Sequence, residues 1–134
     1  MVHFSIARVY NKNMLNSYRE LTVWQKSFDL SKKIYQITTK LPRSEIYGLT
    51  SQMRRCVVSI PSNIAEGYTR GHRQEYIQFL RTAFASGAEL ETQLLLAKEL
   101  RFINSVEYLN LNDLLTEIMK MLNKLLSVLS HSKP

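Results

Sequence analysis

The chain has 134 residues, of which 45% are hydrophobic and 22% are charged, a composition typical of one globular domain and not of a disordered chain. Its one cysteine excludes an internal disulfide framework and favours a reducing, cytoplasmic compartment. No apolar run approaches the roughly 20 residues that span a bilayer. No membrane partner is therefore expected. The formal net charge of +7 favours an anionic partner.

The positive charge is unevenly distributed along the chain. Up to Arg81 there are 13 basic and 5 acidic residues, whereas from Thr82 onward there are 5 basic and 6 acidic residues. All of the net positive charge therefore lies in the part of the chain that ends at Arg81. A basic surface is expected from that part.

Residues 1–16 show little periodicity. Val2, Phe4 and Ile6 alternate too briefly to indicate a strand, and the segment lacks the apolar region and cleavage site of a signal peptide. We interpret residues 1–16 as a poorly ordered extension or a short arm. A domain over residues 17–130 and a polar tail over residues 131–134 follow it.

The first helix is predicted over Thr22–Lys40, where apolar residues recur at helical spacing. It ends at Leu41-Pro42, because the residue before a proline is disfavoured in helical conformation. One apolar stripe consists of Val23, Leu30, Ile34, Ile37 and Leu41. A second stripe, about 120° away, consists of Leu21, Trp24, Phe28 and Tyr35.

The second helix is predicted over Glu45–Glu66, with Ser44 as its N-cap and Gly67 just past its end. Pro61 lies inside it and is expected to kink or tighten a turn without ending the helix. The flanking Ser59, Ser62 and Asn63 are expected to satisfy the freed backbone groups. The apolar face of this helix consists of Leu49, Met53, Cys56, Val57, Ile60 and Ile64.

The third helix is predicted over His72–Arg101, and Asn104 with Glu107 has capping-box spacing for a fourth helix. Both helices carry apolar residues at alternating spacings of four and three, which is typical of helix bundles. In the third helix these residues are Tyr76, Leu80, Ala83, Gly87, Leu90, Leu94 and Ala97. In the fourth they are Tyr108, Leu111, Leu115, Ile118, Leu122, Leu125 and Leu129.

Four amphipathic helices with short connections predict an all-α fold, an up-down-up-down antiparallel four-helix bundle. Two helical hairpins completed by a second chain are the alternative. The apolar residues of the first and third helices cover a wider arc than one core requires, which indicates self-association. Trp24, Phe28 and Tyr35 are the residues expected at the subunit contact.

The residues offer little for catalysis. Cys56 lies on an apolar face and is expected to be a small buried side chain. His3, His72 and His131 have no second ligand at suitable spacing, so neither a metal nor another cofactor is expected. Glu91 falls inside the apolar arc of the third helix and is expected to pair with Arg54, Lys98 or Asn63. We therefore expect a protein that is not an enzyme.

Several stretches are similar to a known family. They include Leu21-Thr22-Val23-Trp24-Gln25-Lys26, Gln52-Met53-Arg54-Arg55 and, most specifically, Ser59-Ile60-Pro61-Ser62-Asn63-Ile64-Ala65-Glu66-Gly67. From Tyr18 to Leu129 the chain resembles the bacterial four-helix-bundle proteins encoded in intervening sequences of 23S ribosomal RNA genes. The resemblance implies a pentamer. It also implies kinship with accessory proteins of diversity-generating retroelements, which bind nucleic acid and a reverse transcriptase.

Two functions are compatible with these observations. The first is an oligomeric binding module that presents a basic surface to the backbone of RNA or DNA. The second is a structural or protein-interaction oligomer whose charge is incidental. The arginines expected to contact phosphate are Arg43, Arg54, Arg55, Arg70, Arg73 and Arg81.

Overall fold

The computed structural model describes residues 17–131, so the predicted extension 1–16 and the residues after His131 lie outside the described range. Four helices make up most of it: α1 (Thr22–Thr38), α2 (Leu49–Arg70), α3 (Arg73–Glu99) and α4 (Ser105–His131). Single 3-10 turns at Tyr18–Glu20 and Arg43–Glu45 precede α1 and α2. Residues 17–131 contain no strand, and the all-α prediction is confirmed.

The four helices enclose one core. α1 packs on α2, α2 on α3, α3 on α4, and α4 packs back on α1, while the diagonal pairs have few contacts at most. Every predicted apolar position of α2 and α3 is buried, and so is every such position of α4 except the half-buried Tyr108. The sequence periodicity therefore identified the core correctly.

The start and end of α2 differ from the prediction. Residues 43–45 form a separate 3-10 turn, and the carboxylate of Glu45 accepts a hydrogen bond from the backbone N–H of Leu49 at 3.0 Å, which caps α2. The helix does not end at Gly67 but continues to Arg70. Gly71 follows with φ of 80°, the left-handed conformation that glycine adopts most easily. The prediction of Gly67 as the terminating glycine was wrong.

Pro61 lies inside α2, as predicted, and both Pro61 and Ile64 are buried. Because proline has no N–H, the carbonyl of Val57 loses its partner one turn earlier in the helix. The hydroxyl of Ser31 in α1 lies 3.2 Å from this carbonyl and 2.9 Å from that of Ser27 in its own helix, so its one hydrogen is shared between the two acceptors. A neighbouring helix, and not the flanking serines, thus satisfies the freed group and attaches α1 to α2.

Gly67 is needed for packing. A Cβ atom at this position would lie 2.6 Å from the Cβ of Phe79 and 3.1 Å from the ring of Tyr76, both in α3. The absence of a side chain at Gly67 therefore lets α2 and α3 approach each other closely.

The predicted capping box of α4 is present. The side chain of Asn104 accepts a hydrogen bond from the N–H of Glu107 at 2.8 Å, and the carboxylate of Glu107 accepts one from the N–H of Asn104 at 2.9 Å. Lys40, just beyond the end of α1, forms an ion pair with the same carboxylate. The N–H of Asn104 and the Lys40 ammonium hold the pKa of Glu107 below its usual value. One carboxylate thus caps α4 and links it to α1.

We predict that Gly67→Ala destabilises the protein by about 1–2 kcal/mol, because overpacking against a rigid neighbour costs about 1–3 kcal/mol. The Cβ of Phe79 cannot move without its backbone. Helix propensity alone would make the variant more stable than the parent protein, because alanine is favoured over glycine by about 1 kcal/mol inside a helix. Urea denaturation at fixed protein concentration, followed by circular dichroism, measures the difference.

Gly87→Ala is the matched control. Its added Cβ meets the side chain of Met119, which can rotate away. We expect a smaller loss than for Gly67→Ala. A Gly67→Ala variant as stable as the parent protein would show that the α2–α3 approach does not depend on this glycine.

Candidate nucleic-acid interface and subunit contact

The six predicted arginines do not form one cluster. Arg54 and Arg55 lie in the first half of α2, with Arg43 in the turn before it, whereas Arg70 and Arg73 flank the link between α2 and α3. The stretch of α2 from Arg55 to Arg70 spans about 22 Å along the helix axis. Arg81 lies about 12 Å along α3 from Arg73.

Arg54 is engaged within the chain. Its Nε donates to the hydroxyl of Thr38 at 2.9 Å, and its Nη2 donates to the backbone carbonyl of Tyr35 at 3.3 Å. The guanidinium group also lies 4.8 Å from the centre of the Tyr35 ring. Arg54 therefore holds the end of α1 against α2, and only part of its surface faces outward.

Arg70 also has partners in its own chain. It lies 3.7 Å from the Glu66 carboxylate, one turn earlier on α2, and 5.1 Å from the centre of the Phe79 ring. Both charged side chains are about half exposed, so this pair contributes little to stability. Arg73 is half-buried and also interacts with other groups of the chain.

The side chains of Arg43, Arg55 and Arg81 are exposed and form no hydrogen bond or ion pair within residues 17–131. The same holds for Lys120 and Lys124 of α4, which the sequence interpretation did not include. They were not predicted from the sequence because the chain from Thr82 onward has no net positive charge. Arg19 and Arg101 are also exposed, and their side chains form no hydrogen bond or ion pair within residues 17–131. These seven side chains are the cations of the described chain best able to reach a phosphate.

The predicted subunit-contact residues share the outward side of α1. Trp24 is half-buried and stacks on Phe28 with ring centres 5.0 Å apart, and Tyr18 meets the edge of Trp24 at 5.2 Å. Phe28 and Tyr35 are each 46% exposed. Two large aromatic rings therefore remain in contact with solvent on one helix face.

The most specific motif, residues 59–67, lines the contact between α2 and α3. The hydroxyls of Ser59 and Ser86 lie 2.9 Å apart, and Asn63 donates to the hydroxyl of Ser59 at 2.9 Å. One turn earlier, the thiol of Cys56 donates to the carbonyl of Ser86 at 2.9 Å. The motif thus places small polar groups where they hold the two helices together.

Cys56 is buried, and its thiol is expected to be unreactive. Burial raises the pKa of its thiol to about 12, and the neighbouring Glu89 carboxylate acts in the same direction. A thiol held in its neutral form is a poor nucleophile.

The prediction for Glu91 was wrong. Its side chain is exposed and pairs with neither Arg54, Lys98 nor Asn63. The stripe of α3 passes through Leu90 and Leu94, and Glu91 lies about 100° around the helix from Leu90. The buried polar side chain of this region is Gln93, which donates to the Glu89 carboxylate at 3.2 Å.

An open cavity of about 650 Å³ lies beside the link between α3 and α4, where the Lys40–Glu107 pair forms part of its wall. Within residues 17–131, no group of three or more histidine, cysteine or acidic side chains is placed to hold a metal ion. No helix in that range is long and apolar enough to cross a membrane.

Comparison with known proteins identifies the family. The sequence profile of the 23S rRNA-intervening sequence proteins matches residues 19–124. The chain belongs to this family. Its four helices also match a crystal structure of a protein of unknown function from the S23 ribosomal protein family of Bacteroides thetaiotaomicron. That match has a TM-score of 0.71 and 27% identity, and it covers 75% of this chain and 94% of the other. No protein with a curated description matches the chain.

We predict that Cys56 in this intervening-sequence protein reacts with a chromogenic disulfide reagent at pH 8 at least 100-fold more slowly in the native state than in urea. A pKa of about 12 leaves on the order of one thiol in ten thousand ionised at that pH. A Ser62→Cys variant supplies an exposed thiol on the same helix as a control. If native Cys56 reacts as fast as that control thiol, the buried, neutral description of Cys56 is incorrect.

Proposed function

We propose that this member of the 23S rRNA-intervening sequence family is a non-enzymatic, oligomeric binding module with a basic surface for the backbone of RNA or DNA. It acts in the cytoplasm, without a cofactor, in association with an intervening sequence of the 23S rRNA. The observation that carries the proposal is the set of exposed, unpaired arginines and lysines on a chain with net charge +7. Family membership supplies the link to ribosomal RNA.

The proposed topology is an up-down-up-down antiparallel bundle. Contacts between neighbouring helices support it, because residues late in one helix meet residues early in the next. Tyr76 at the start of α3 lies against Gly67 near the end of α2, and Ser86 further along α3 lies against Cys56 nearer the start of α2. The contacts of α1 with α2, of α3 with α4 and of α4 with α1 indicate the same antiparallel arrangement.

The proposed assembly is a homopentamer. Self-association is supported by the exposure of Phe28 and Tyr35, because monomeric proteins seldom leave large aromatic groups together in water. The number five comes from the resemblance to bacterial intervening-sequence proteins. Five copies would carry a formal charge of about +35 and would repeat each group of cations around the particle.

Nucleic acid is contacted mainly by the exposed cations without an internal partner, which are Arg19, Arg43, Arg55, Arg81, Arg101, Lys120 and Lys124. Arg54, Arg70 and Arg73 contribute charge but are already held by their own chain. Such contacts bind the phosphate backbone and carry little sequence preference. The described chain offers no base-reading pattern of its own.

The alternative is an oligomer that binds protein, with charge that is incidental. The internal engagement of Arg54, Arg70 and Arg73 favours it, since three of the six predicted phosphate ligands have other partners. A reverse transcriptase is such a protein partner, by distant analogy with the retroelement accessory proteins. Measurement of nucleic-acid binding separates the two functions.

We predict that labelled RNA and duplex DNA bind at 50 mM salt and dissociate towards 200 mM salt. Because each phosphate contact releases counterions, the logarithm of affinity falls with the logarithm of salt by about 0.9 per contact on duplex DNA. An Arg55→Glu/Arg81→Glu variant loses at least tenfold in affinity at 50 mM salt and has a shallower slope. Fluorescence anisotropy measures both quantities.

Lys33→Glu/Lys98→Glu is the matched control, because it changes the net charge equally through cations already paired with Asp29 and Glu99. A smaller loss in the control assigns binding to the unpaired arginines. Equal losses in the two variants indicate attraction by net charge alone. Absence of binding to either nucleic acid at 50 mM salt favours the protein-interaction alternative.

We predict that light scattering at micromolar concentration gives a mass five times the 15.6 kDa of one chain. Phe28→Asp places a charge on the outward side of α1 and is expected to yield monomers. Tyr47→Asp is the control, since Tyr47 is 94% exposed in the connection between α1 and α2. A parent protein with the mass of a single chain contradicts self-association.

A further inference from the structure

Exposed cations of two helices meet at one end of the groove between α1 and α4. The ammonium of Lys26 in α1 lies 3.1 Å from the carboxylate of Glu117 in α4, which fixes how the two helices face each other. Lys120 and Lys124 follow Glu117 by three and seven residues, so they lie on the same side of α4 as that carboxylate. Lys124 lies about 10 Å beyond Glu117 along the helix axis. Both lysines therefore border the groove that contains Lys26.

Arg19 lies beside the start of α1, at the same end of the groove. Its backbone carbonyl accepts a hydrogen bond from the side chain of Gln25 at 2.8 Å, which holds it against the first turn of the helix. Because α1 and α4 contact each other in the proposed antiparallel sense, this first turn runs alongside the part of α4 that follows Glu117. Arg19 is thus close to the level of Lys120 and Lys124 along the bundle.

The cation patch, defined as Arg19, Lys26, Lys120 and Lys124, has little opposing charge. Arg19, Lys120 and Lys124 are exposed, and their side chains form no hydrogen bond or ion pair within residues 17–131. Glu117 is the carboxylate that borders the patch, and it is already paired with Lys26. Four cations against one carboxylate leave an excess of positive charge.

Acidic side chains limit the patch on its other sides. Glu20 follows Arg19 in the chain but lies close enough to Tyr68 of α2 to act on it electrostatically. Asp113 lies one turn before Glu117 on α4, towards the other end of the groove. Asp29, one turn after Lys26 on α1, is paired with two lysines of its own helix. The excess of positive charge in this groove is therefore confined to its end nearest Arg19.

The cation patch contains no large exposed apolar side chain. On α4 such side chains are Val106 and Leu109, more than ten residues before Lys120. On α1, Phe28 lies about 200° around the helix from Lys26. Protein interfaces have an apolar or aromatic centre, and membrane-binding helices combine cations with an apolar face. Cations without apolar neighbours fit a polyanion better than either a protein or a lipid surface.

We propose that the cation patch is the primary contact for the sugar-phosphate backbone of a nucleic acid, which follows the α1–α4 groove at this end. The inference rests on the proposed nucleic-acid binding and locates it on the chain. Lys120 and Lys124 bind phosphates along one edge of the groove, and Arg19 binds a phosphate at its end. Since Phe28 faces another side of α1, the patch stays accessible when copies associate through the aromatic residues.

The first test compares two variants that change the net charge equally. Lys120→Glu/Lys124→Glu removes two neighbouring cations of the patch, whereas Arg55→Glu/Arg81→Glu removes exposed cations of α2 and α3. The patch variant is expected to lose about tenfold more affinity for labelled RNA and duplex DNA at 50 mM salt, because it removes contacts and not only net charge. Fluorescence anisotropy measures the affinities, and circular dichroism establishes that both variants are folded.

The outcomes separate this proposal from nucleic-acid binding itself. If the parent protein binds and the two variants lose affinity equally, the cation patch is not the primary contact, although the proposed function stands. If the parent protein binds neither RNA nor DNA at 50 mM salt, the proposed function fails and the location fails with it.

A third variant is expected to bind more tightly than the parent protein. Glu117→Gln removes the carboxylate that borders the patch and frees the ammonium of Lys26. Affinity is expected to rise at least threefold at 50 mM salt, and the salt dependence on duplex DNA to steepen by about 0.9, the value of one added contact. Glu99→Gln is the matched control, because it removes the same charge and frees Lys98 at the opposite end of the bundle. Equal gains in the two variants would overturn the proposal.

Chemical labelling gives a readout that needs no substitution. Saturating RNA is expected to slow the acetylation of Lys120 and Lys124 at least fivefold, measured by mass spectrometry of peptides. Lys32 is the internal control, since it is exposed beside Phe28 on the aromatic side of α1. Protection of Lys32 without protection of Lys120 and Lys124 would place the nucleic acid on the other side of α1 and contradict the proposal.

Discussion

The bundle depends on the close approach of α2 to two neighbours at once. On one side, Pro61 removes a backbone donor and leaves the carbonyl of Val57 to the hydroxyl of Ser31 in α1. Nearby, Gly67 lets α3 approach until a Cβ atom would no longer fit. Both residues belong to the same motif, residues 59–67, so part of this specific sequence serves the packing of the helices. Two of its polar members, Ser59 and Asn63, connect α2 to the hydroxyl of Ser86 in α3.

Much of the fold could be predicted from the sequence, because apolar spacing determines which side of each helix is buried. The ends of the helices were harder to predict. Gly67 looked like a terminating residue because glycine often follows a helix, but here it serves a packing contact with Phe79 of the next helix. The same limitation applies to Val57, whose hydrogen-bond partner Ser31 belongs to a different helix.

The candidate site was less accessible to sequence reasoning. A sequence shows that Arg54 is charged but not that Thr38 and Tyr35 already occupy its donors. For Glu91 the sequence predicted a partner within the chain. Its side chain is instead exposed to solvent, because successive residues of a helix are rotated by about 100° and Leu90 faces the core. Availability for an external ligand depends on tertiary contacts, and these follow from the relative positions of helices more than from local pattern.

The connection between α2 and α3 consists of two residues, Gly71 and His72. Joining two helices through so short a segment involves little loss of chain entropy, and the contacts made near the turn are close in sequence. Tyr68 and Tyr76, whose rings meet edge to face at 6.0 Å, are among the first side chains that such a hairpin would bring together. The hairpin of α2 and α3, which contains residues 59–67, is thus the part of the described chain best suited to fold early, as the template on which α1 and α4 assemble.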